Sequence, residues 1–314
     1  MFHRPEGDLR TMSSAVKSNS GRRARHTSAP TGRHRGEATA DSFERSFTAL
    51  GEIALTGVQV SARAIDLSTG QVLFSVDDHV VMPTASIGKV LLLIEVAAQL
   101  ERREVSGLTL LDREPRDAVG DSGVWQHLAV PSLPLADLAA LVGAANDNLA
   151  TNVLLRRIGL DAVRTRTEQL GLTRTALLDL VRDHRGPDDA PQLSIGSASE
   201  LTWLFSALAR GEVVDRATSQ RVVQWLSLNA DLTMVASSFG LDPLAHRSAD
   251  HGILLMNKTG TDAGVRGEAG VLRGPRAGVA YAVSTYFDDS GLPVRLRVLE
   301  TMRTFGRDLL EYVH

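Results

Sequence analysis

Strand patterns lie at both ends of this chain, and the long segment between them has the periodicity of helices. Residues 58–65 alternate between apolar and polar side chains, and residues 71–76 follow a Ser-Thr-Gly turn as the second strand of a hairpin. Further strands are predicted near the carboxyl end, at 252–257, 267–272 and 279–287. The two ends of the chain therefore have to assemble one antiparallel sheet, and the middle has to fold beside it.

Helical periodicity accounts for most of the remaining chain. A first helix is predicted over 41–55 and a closing helix over 293–312. The middle contains six more predicted helices, at 87–101, 135–145, 149–158, 161–170, 198–209 and 216–228. The predicted fold class is α+β, with an antiparallel sheet flanked by helices and an all-helical subdomain beside it.

Three parts of the chain are predicted from this pattern. Residues 1–40 are expected to form a disordered basic tail, because they contain eight basic and three acidic residues and no apolar periodicity. Residues 41–80 and 243–314 are expected to form one discontinuous α/β subdomain, and residues 81–242 the all-helical one. A cleft between the two subdomains is the expected place for a ligand.

Composition excludes several classes of protein. The 314 residues include no cysteine, which rules out disulfides, thiolate zinc sites and a cysteine nucleophile. The nine histidines show no metal-ligand spacing, so we expect neither a metal nor a cofactor. Residues 41–314 carry 26 basic and 34 acidic side chains, and this negative balance argues against nucleic-acid binding by the folded part.

The sequence shows no apolar segment long enough to span a membrane, and no apolar stretch of export-signal length follows the Arg22-Arg23 pair. The chain as written is therefore expected in the cytoplasm, or outside the cell if its true start differs. We expect a monomer that acts on a small molecule.

Only three of the 34 basic residues are lysines, and two of them, Lys89 and Lys258, lie in the predicted folded part. A buried lysine can lose its proton, whereas arginine stays charged, so these amines are candidates for catalysis. Lys89 follows Ser86 by three residues at the start of an apolar helix, which places the hydroxyl within hydrogen-bond reach of the amine. A desolvated lysine can be the base that activates such a serine. The alternative is a helix-capping serine beside a solvated lysine.

Two further sequences are candidates for a functional role. An Asn-Asp-Asn sequence at 146–148 lies between two predicted helices, and a Lys-Thr-Gly sequence at 258–260 lies at the end of a predicted strand. Taken alone, the first is typical of helix capping in a loop, and the second of a strand end followed by a turn.

In this order and on these elements, Ser-x-x-Lys, Asn-Asp-Asn and Lys-Thr-Gly match a known pattern. From about residue 41 onward, the chain resembles the penicillin-recognising serine hydrolases, and the class A β-lactamases most of all. The resemblance implies a serine hydrolase that opens β-lactams, which are cyclic amides, through an acyl-enzyme on Ser86. Alternatives on the same fold are an esterase or D,D-peptidase-like acyltransferase, and a non-catalytic module that binds β-lactams or peptidoglycan.

The resemblance also implies roles for individual residues. Ser86 would be the nucleophile, Lys89 would accept its proton, and Lys258 would help to lower the pKa of Lys89. The residues that would bind the substrate are Asn148, Lys258, Thr259, Gly260, Thr261 and Arg266.

Within this set, Asn148 would hold a side-chain amide of the substrate, and Lys258 and Thr259 would bind its carboxylate. The backbone N–H groups of Ser86 and Thr261 would form an oxyanion hole. Arg266 either contributes to the carboxylate site or is an ordinary surface arginine.

Two departures from the family pattern affect the expected chemistry. Asn146 stands where the family has a serine that passes a proton to the leaving nitrogen, and an amide cannot relay a proton in that way. Acylation is then expected to be slower, or the proton has to travel by water or directly from Lys89. The Glu-x-x-Leu-Asn sequence that activates the hydrolytic water is missing from residues 178–189. Asp179 or Asp183 could substitute, although loop-stabilising roles fit these residues better, so slow deacylation is expected.

Overall fold

A computed structural model of the chain describes residues 40–246, 249 and 251–314. The predicted basic tail, apart from Ala40, lies outside the described residues. The amino-terminal part contains a 3-10 turn at Ala40–Phe43, helix α1 (Glu44–Ala54) and strands β1 (Gln59–Asp66) and β2 (Val72–Val76). None of the helices in the described part of the chain is long and apolar enough to span a bilayer.

Six helices follow in the middle of the chain, in agreement with the predicted periodicity. They are α2 (Lys89–Glu101), α3 (Leu135–Ala145), α4 (Asn148–Ile158), α5 (Leu160–Gln169), α6 (Ala198–Arg210) and α7 (Arg216–Leu226). Side-chain caps begin three of them, because Asp147, Ser197 and Asp215 each accept a hydrogen bond from a backbone N–H of the first turn.

The sequence predicted an all-helical middle segment, and the structure differs from that prediction. The middle segment also contains short strands, namely β3 (Met82–Pro83), β4 (Leu110–Asp112), β5 (Ser132–Pro134), β6 (Ala176–Leu177) and β7 (Ser194–Gly196). Strand β7 pairs with both β3 and β6, and β4 pairs with β5. Strands of two or three residues are too short to show an alternating pattern, which is why the sequence did not reveal them.

The carboxyl-terminal part contains strands β8 (Leu254–Asp262), β9 (Val265–Arg273) and β10 (Gly278–Tyr286), followed by helix α8 (Leu292–Val313). These strands join β1 and β2 in one antiparallel sheet with the order β2-β1-β10-β9-β8. The two ends of the chain therefore build one sheet, and the predicted α+β class is confirmed. Strand β8 lies at the edge of this sheet. It ends at Asp262, five residues beyond the end predicted at 257.

Each face of the sheet packs on a separate hydrophobic core. One core joins side chains such as Met256 and Ala282 to helices of the middle segment, whereas the other joins Leu255 and Val283 to α1 and α8. Side chains alternate along a strand, so neighbouring residues of β8 face different cores. The division into two subdomains at residues 81 and 242 stays a prediction.

Candidate active site

Ser86 lies in a 3-10 turn (Ala85–Gly88) that leads directly into α2, and only 6% of its surface is exposed. The preceding residue, Ala85, has a φ of 47°, a left-handed conformation that is rare for a residue with a side chain. Ser194 on β7 stabilises this turn, since its hydroxyl donates to the carbonyl oxygen of Ala85 over 2.6 Å. The backbone N–H of Thr84 also donates to the carbonyl oxygen of Ser194. The nucleophile candidate thus lies in a strained turn that a distant strand holds in place.

Lys89 is the first residue of α2, and its side chain is fully buried. Its Nζ atom donates to the carbonyl oxygen of Asn146 over 2.9 Å, to the amide oxygen of Asn146 over 3.1 Å, and to the amide oxygen of Asn148 over 2.6 Å. Burial lowers the pKa of Lys89 well below 10.5, and the charge of Lys258 lowers it further, with Asp147 and Asp121 opposing. Burial and the charge of Lys258 therefore make it easier for the Lys89 ammonium to lose a proton, which is the step that would make it a base.

The spacing of the two residues predicted a hydrogen bond between Ser86 and Lys89, and the structure does not contain one. All three hydrogen bonds of the Lys89 amine go to oxygens of the 146–148 loop. An amine that donates three hydrogen bonds has no lone pair left for a hydroxyl. Lys89 must therefore give up a proton and one of these contacts before it can serve as a base.

Lys258 lies on β8 and is also fully buried. Its Nζ atom donates to the amide oxygen of Asn146 over 2.8 Å and to the carbonyl oxygen of Thr259 over 3.0 Å. Burial lowers the pKa of Lys258 to about 7, against the opposing charge of Asp231. The amide oxygen of Asn146 thus joins the two buried lysines.

The 146–148 loop takes its shape from local rules. Asn146 ends α3 with a φ of 56°, a left-handed conformation that asparagine tolerates better than most residues. Asp147 is fully buried and accepts hydrogen bonds from the backbone N–H groups of Val124, Trp125 and Ala150. The carboxylate therefore fixes the loop and leaves the flanking asparagines to contact Lys89.

The remaining predicted residues divide between the two faces of β8. Gly260 shares a face with Lys258 and lies against the 3-10 turn, where a β-carbon would overlap the carbonyl oxygen of Thr84. Thr259, Thr261 and Arg266 lie on the other face. The Thr259 hydroxyl is buried without a hydrogen-bond partner among the described residues, and Thr261 is exposed.

Arg266 is not a surface arginine, since only 8% of its surface is exposed. It lies on β9 directly opposite Thr261, and its guanidinium donates to the carbonyl oxygens of Asp262 and Val265. A carboxylate oxygen of Asp289 lies 3.7 Å from the guanidinium. These contacts hold Arg266 at the hairpin end of β8, and its role in carboxylate binding stays a prediction.

A sequence match over nearly all of the described residues shows the family of this chain. The β-lactamase enzyme family matches this chain over residues 42–313. The chain belongs to this family.

Several solved structures share the fold. A β-lactamase from Sphaerobacter thermophilus is 22% identical with a TM-score of 0.72, over 83% of this chain and 94% of that chain. A mutant of PBP-A, solved as an acyl-enzyme complex with penicillin G, is 18% identical with a TM-score of 0.71, over 85% of this chain and 95% of that chain.

A variant of the last common ancestor of the class A β-lactamases of Gram-negative bacteria is also similar. It is 21% identical with a TM-score of 0.69, over 85% of this chain and 99% of that chain. No curated protein matches the chain in sequence. The family membership establishes a serine hydrolase of the β-lactamase type.

In this member of the β-lactamase family, the two candidate deacylation residues are engaged elsewhere. Asp179 accepts hydrogen bonds from Arg182, Arg185 and its neighbour Leu180. Burial raises the pKa of Asp179, but the hydrogen bonds and the charge of Arg182 outweigh it and bring the pKa below its usual value.

Asp183 accepts from the backbone N–H of Gly120 with both carboxylate oxygens, at 2.9 and 3.1 Å. Within the described residues, no carboxylate is hydrogen bonded to Ser86, Lys89 or Lys258. Loop-stabilising roles therefore describe Asp179 and Asp183 better than catalysis does.

Sequence reasoning missed a buried polar cluster behind the site. Glu268 on β9 lies opposite Thr259 and accepts hydrogen bonds from Tyr281 over 2.7 Å and from Asn257 over 2.8 Å. Burial raises the pKa of Glu268 to about 7, and the two hydrogen bonds oppose that rise. A lone glutamate among small and apolar residues in the Gly267–Leu272 stretch was the available signal. Ser194 and Asp231 gave no such signal, because each acts on residues distant in the chain.

Proposed function

We propose that this protein forms an acyl-enzyme on Ser86 with β-lactams and hydrolyses that adduct slowly. The observation that carries the proposal is the pair of buried lysines joined through Asn146 beside the Ser86 turn. A neutral Lys89 can take the proton of Ser86 as the hydroxyl oxygen attacks the carbonyl carbon. Lys258 keeps the pKa of Lys89 low and offers a cation to the carboxylate of the substrate.

The predicted role of Asn148 in substrate binding fits this arrangement. The amide nitrogen of Asn148 has a single long hydrogen bond, 3.4 Å to the carbonyl oxygen of Gly120, so it can turn to a substrate carbonyl. Thr259, Gly260 and Thr261 lie on the edge strand β8. We propose that outer backbone groups of this strand contact the ligand, apart from the Thr259 carbonyl, which accepts from Lys258. We propose that the N–H groups of Ser86 and Thr261 form the oxyanion hole.

Slow deacylation is proposed from the carboxylates around the site. Hydrolysis of an ester intermediate needs a base that activates water, and such a base contributes about a hundredfold or more. Asp147 is occupied by three backbone N–H groups, and Asp179 and Asp183 are held in their loop. A PBP-A mutant of the same fold has been captured as an acyl-enzyme with penicillin G, and a long-lived adduct of that kind is what we expect here.

The experiment that tests the proposal labels the protein with a fluorescent penicillin and follows a chromogenic cephalosporin in parallel. We expect a one-to-one adduct by intact mass, located on Ser86, together with weak colour development. Ser86→Ala should not be labelled, whereas Ser290→Ala, which changes an exposed serine, should be labelled like wild type. Equal labelling of Ser86→Ala would refute the proposal.

The same experiment separates the alternatives. A stable adduct with no colour supports the D,D-peptidase-like acyltransferase or esterase, which the absence of a placed deacylation carboxylate in the described residues also favours. Rapid and sustained colour development supports an efficient β-lactamase. Neither adduct nor colour supports a non-catalytic module that binds β-lactams or peptidoglycan.

A further inference from the structure

Asn146 contacts both buried amines through one atom, its amide oxygen. Only an acceptor can occupy this position, since both lysines donate, so the hydrogen bonds themselves assign the oxygen rather than the nitrogen. The amide nitrogen of Asn146 has no acceptor among the described residues. An amide neither takes up nor releases a proton near neutral pH, so Asn146 orients the lysines without exchanging protons with them.

The other contacts of the two amines do not exchange protons either. Lys89 donates to the backbone oxygen of Asn146 and to the amide oxygen of Asn148, and Lys258 donates to the backbone oxygen of Thr259. No hydroxyl or carboxylate of the described chain is hydrogen bonded to either amine. Apart from the two amines themselves, the described residues therefore place no group in contact with them that could pass a proton on to a leaving atom.

Building on the acyl-enzyme function proposed above, we infer that Asn146 is a positioning residue that restricts acylation to substrates whose leaving group departs as a stabilised anion. Aryl esters, thioesters and β-lactams with an electron-poor ring nitrogen belong to this class, and amides of basic amines do not. The free amide nitrogen can donate a hydrogen bond to the departing anion without transferring a proton.

The acylation step balances without a further reactant. The bond from the Ser86 oxygen to the carbonyl carbon forms, and the Ser86 proton moves to the Nζ atom of Lys89. The bond from the carbonyl carbon to the leaving oxygen breaks, and the aryloxide departs with the electron pair. The proton stays on Lys89 until water in the opened cleft removes it.

The test compares acylation rates for a series of phenylacetyl esters, from the 4-nitrophenyl ester to the ethyl ester, in wild type and Asn146→Ser. A hydroxyl at this position can accept a proton and pass it on, and such catalysis contributes about a hundredfold or more. We expect the acylation rate of Asn146→Ser divided by that of wild type to be at least about tenfold larger for the ethyl ester than for the nitrophenyl ester. A ratio that is constant across the series would overturn the inference.

Asn146→Gly is the second variant, because glycine adopts the left-handed conformation of Asn146 without strain and preserves the backbone. We expect it to slow all esters by one common factor, since both amines lose their shared acceptor. Added imidazolium should then accelerate the ethyl ester and leave the nitrophenyl ester unchanged. Equal acceleration of both esters contradicts the inference. Thermal unfolding shows which variants fold. The nitrophenyl and ethyl esters can be compared with either variant alone.

The outcomes also separate this inference from the proposed function. If wild type forms no Ser86 adduct with any ester or with penicillin, the acyl-enzyme proposal fails and the inference falls with it. If wild type forms the adduct and the ratio of Asn146→Ser to wild type stays constant across the leaving groups, only the inference about Asn146 fails.

Discussion

The Nζ atom of Lys258 lies 2.8 Å from the amide oxygen of Asn146, so a residue between two helices positions a cation on the edge strand of the sheet. Lys89 donates to the same oxygen from the other side. The amine proposed to accept the proton and the cation proposed to bind the substrate are thereby joined through one atom. Under the proposed mechanism, the activity depends on the charge state of both lysines.

Carboxylate-bearing β-lactams should acylate the protein more slowly as the pH rises above 7. Burial lowers the pKa of Lys258 to about 7, so its ammonium is present below that pH and falls about tenfold per pH unit above it. The second-order acylation rate constant measured from pH 5 to 9 should therefore decline on the alkaline side, whereas that for the methyl ester of the same β-lactam should not. Lys258→Arg keeps its charge and should remove the decline, and an unchanged decline in this variant would assign it to another group.

Lys89→Arg should abolish acylation, because a guanidinium cannot act as a base at neutral pH. We expect the rate of adduct formation to fall at least about a hundredfold, the contribution typical of a general base. Intact mass after timed mixing with penicillin measures it directly. Lys258→Arg is the matched substitution and should retain slow acylation at pH 6. Residual acylation by Lys89→Arg above a hundredth of wild type would remove Lys89 from its assigned role.

Glu268→Gln should flatten the pH dependence of stability between about pH 4.5 and 7. The folded protein keeps Glu268 protonated up to about pH 7, whereas the unfolded chain releases the proton near its ordinary pKa of 4.5. The unfolded state is therefore stabilised relative to the folded state as pH rises through this window, by roughly 3 kcal/mol.

Urea unfolding of wild type at a series of pH values should show this loss of unfolding free energy, and Glu268→Gln should not. Glu52→Gln changes an exposed glutamate and should follow wild type. Parallel curves for wild type and Glu268→Gln would mean that Glu268 is ionised in the folded state.

Gly260→Ala should disrupt the site, because its β-carbon would overlap the carbonyl oxygen of Thr84 next to the nucleophile turn. We expect a loss of about 1–3 kcal/mol in unfolding free energy from the forced displacement, with a near-complete loss of labelling by penicillin. Gly51→Ala is the control, since that glycine lies within α1 with open space around it. Alanine there should stabilise the protein by about 0.5–1 kcal/mol and leave labelling intact, so equal behaviour of the two variants would contradict the assigned contact.

Local rules made much of this site predictable from the sequence. Asp147 caps α4, and Asn146 ends α3 in a left-handed conformation, as the Asn-Asp-Asn sequence between two helical patterns suggested. The run of apolar residues after Lys89 likewise predicted a buried helix, and a buried lysine at its start. These features depend on residues close together in the chain, so the sequence pattern contains them.

Contacts between distant residues account for what the sequence did not reveal. Asn146 and Lys258 are 112 positions apart, and nothing in either local pattern indicated that one amide oxygen would serve both amines. The same holds for the Glu268 cluster, which depends on the register of β8, β9 and β10. The expected Ser86–Lys89 hydrogen bond is absent for a related reason, because the Lys89 amine donates to oxygens of the distant 146–148 loop instead.

Ser194 holds the turn of the nucleophile from a strand that follows it by more than a hundred residues. The loop that carries the two aspartates, Asp179 and Asp183, leads directly into that strand. Insertions or deletions in this loop would thus change the geometry of attack even where no altered side chain reaches the cleft. A change in the length of this loop is therefore expected to alter reactivity from outside the reaction centre.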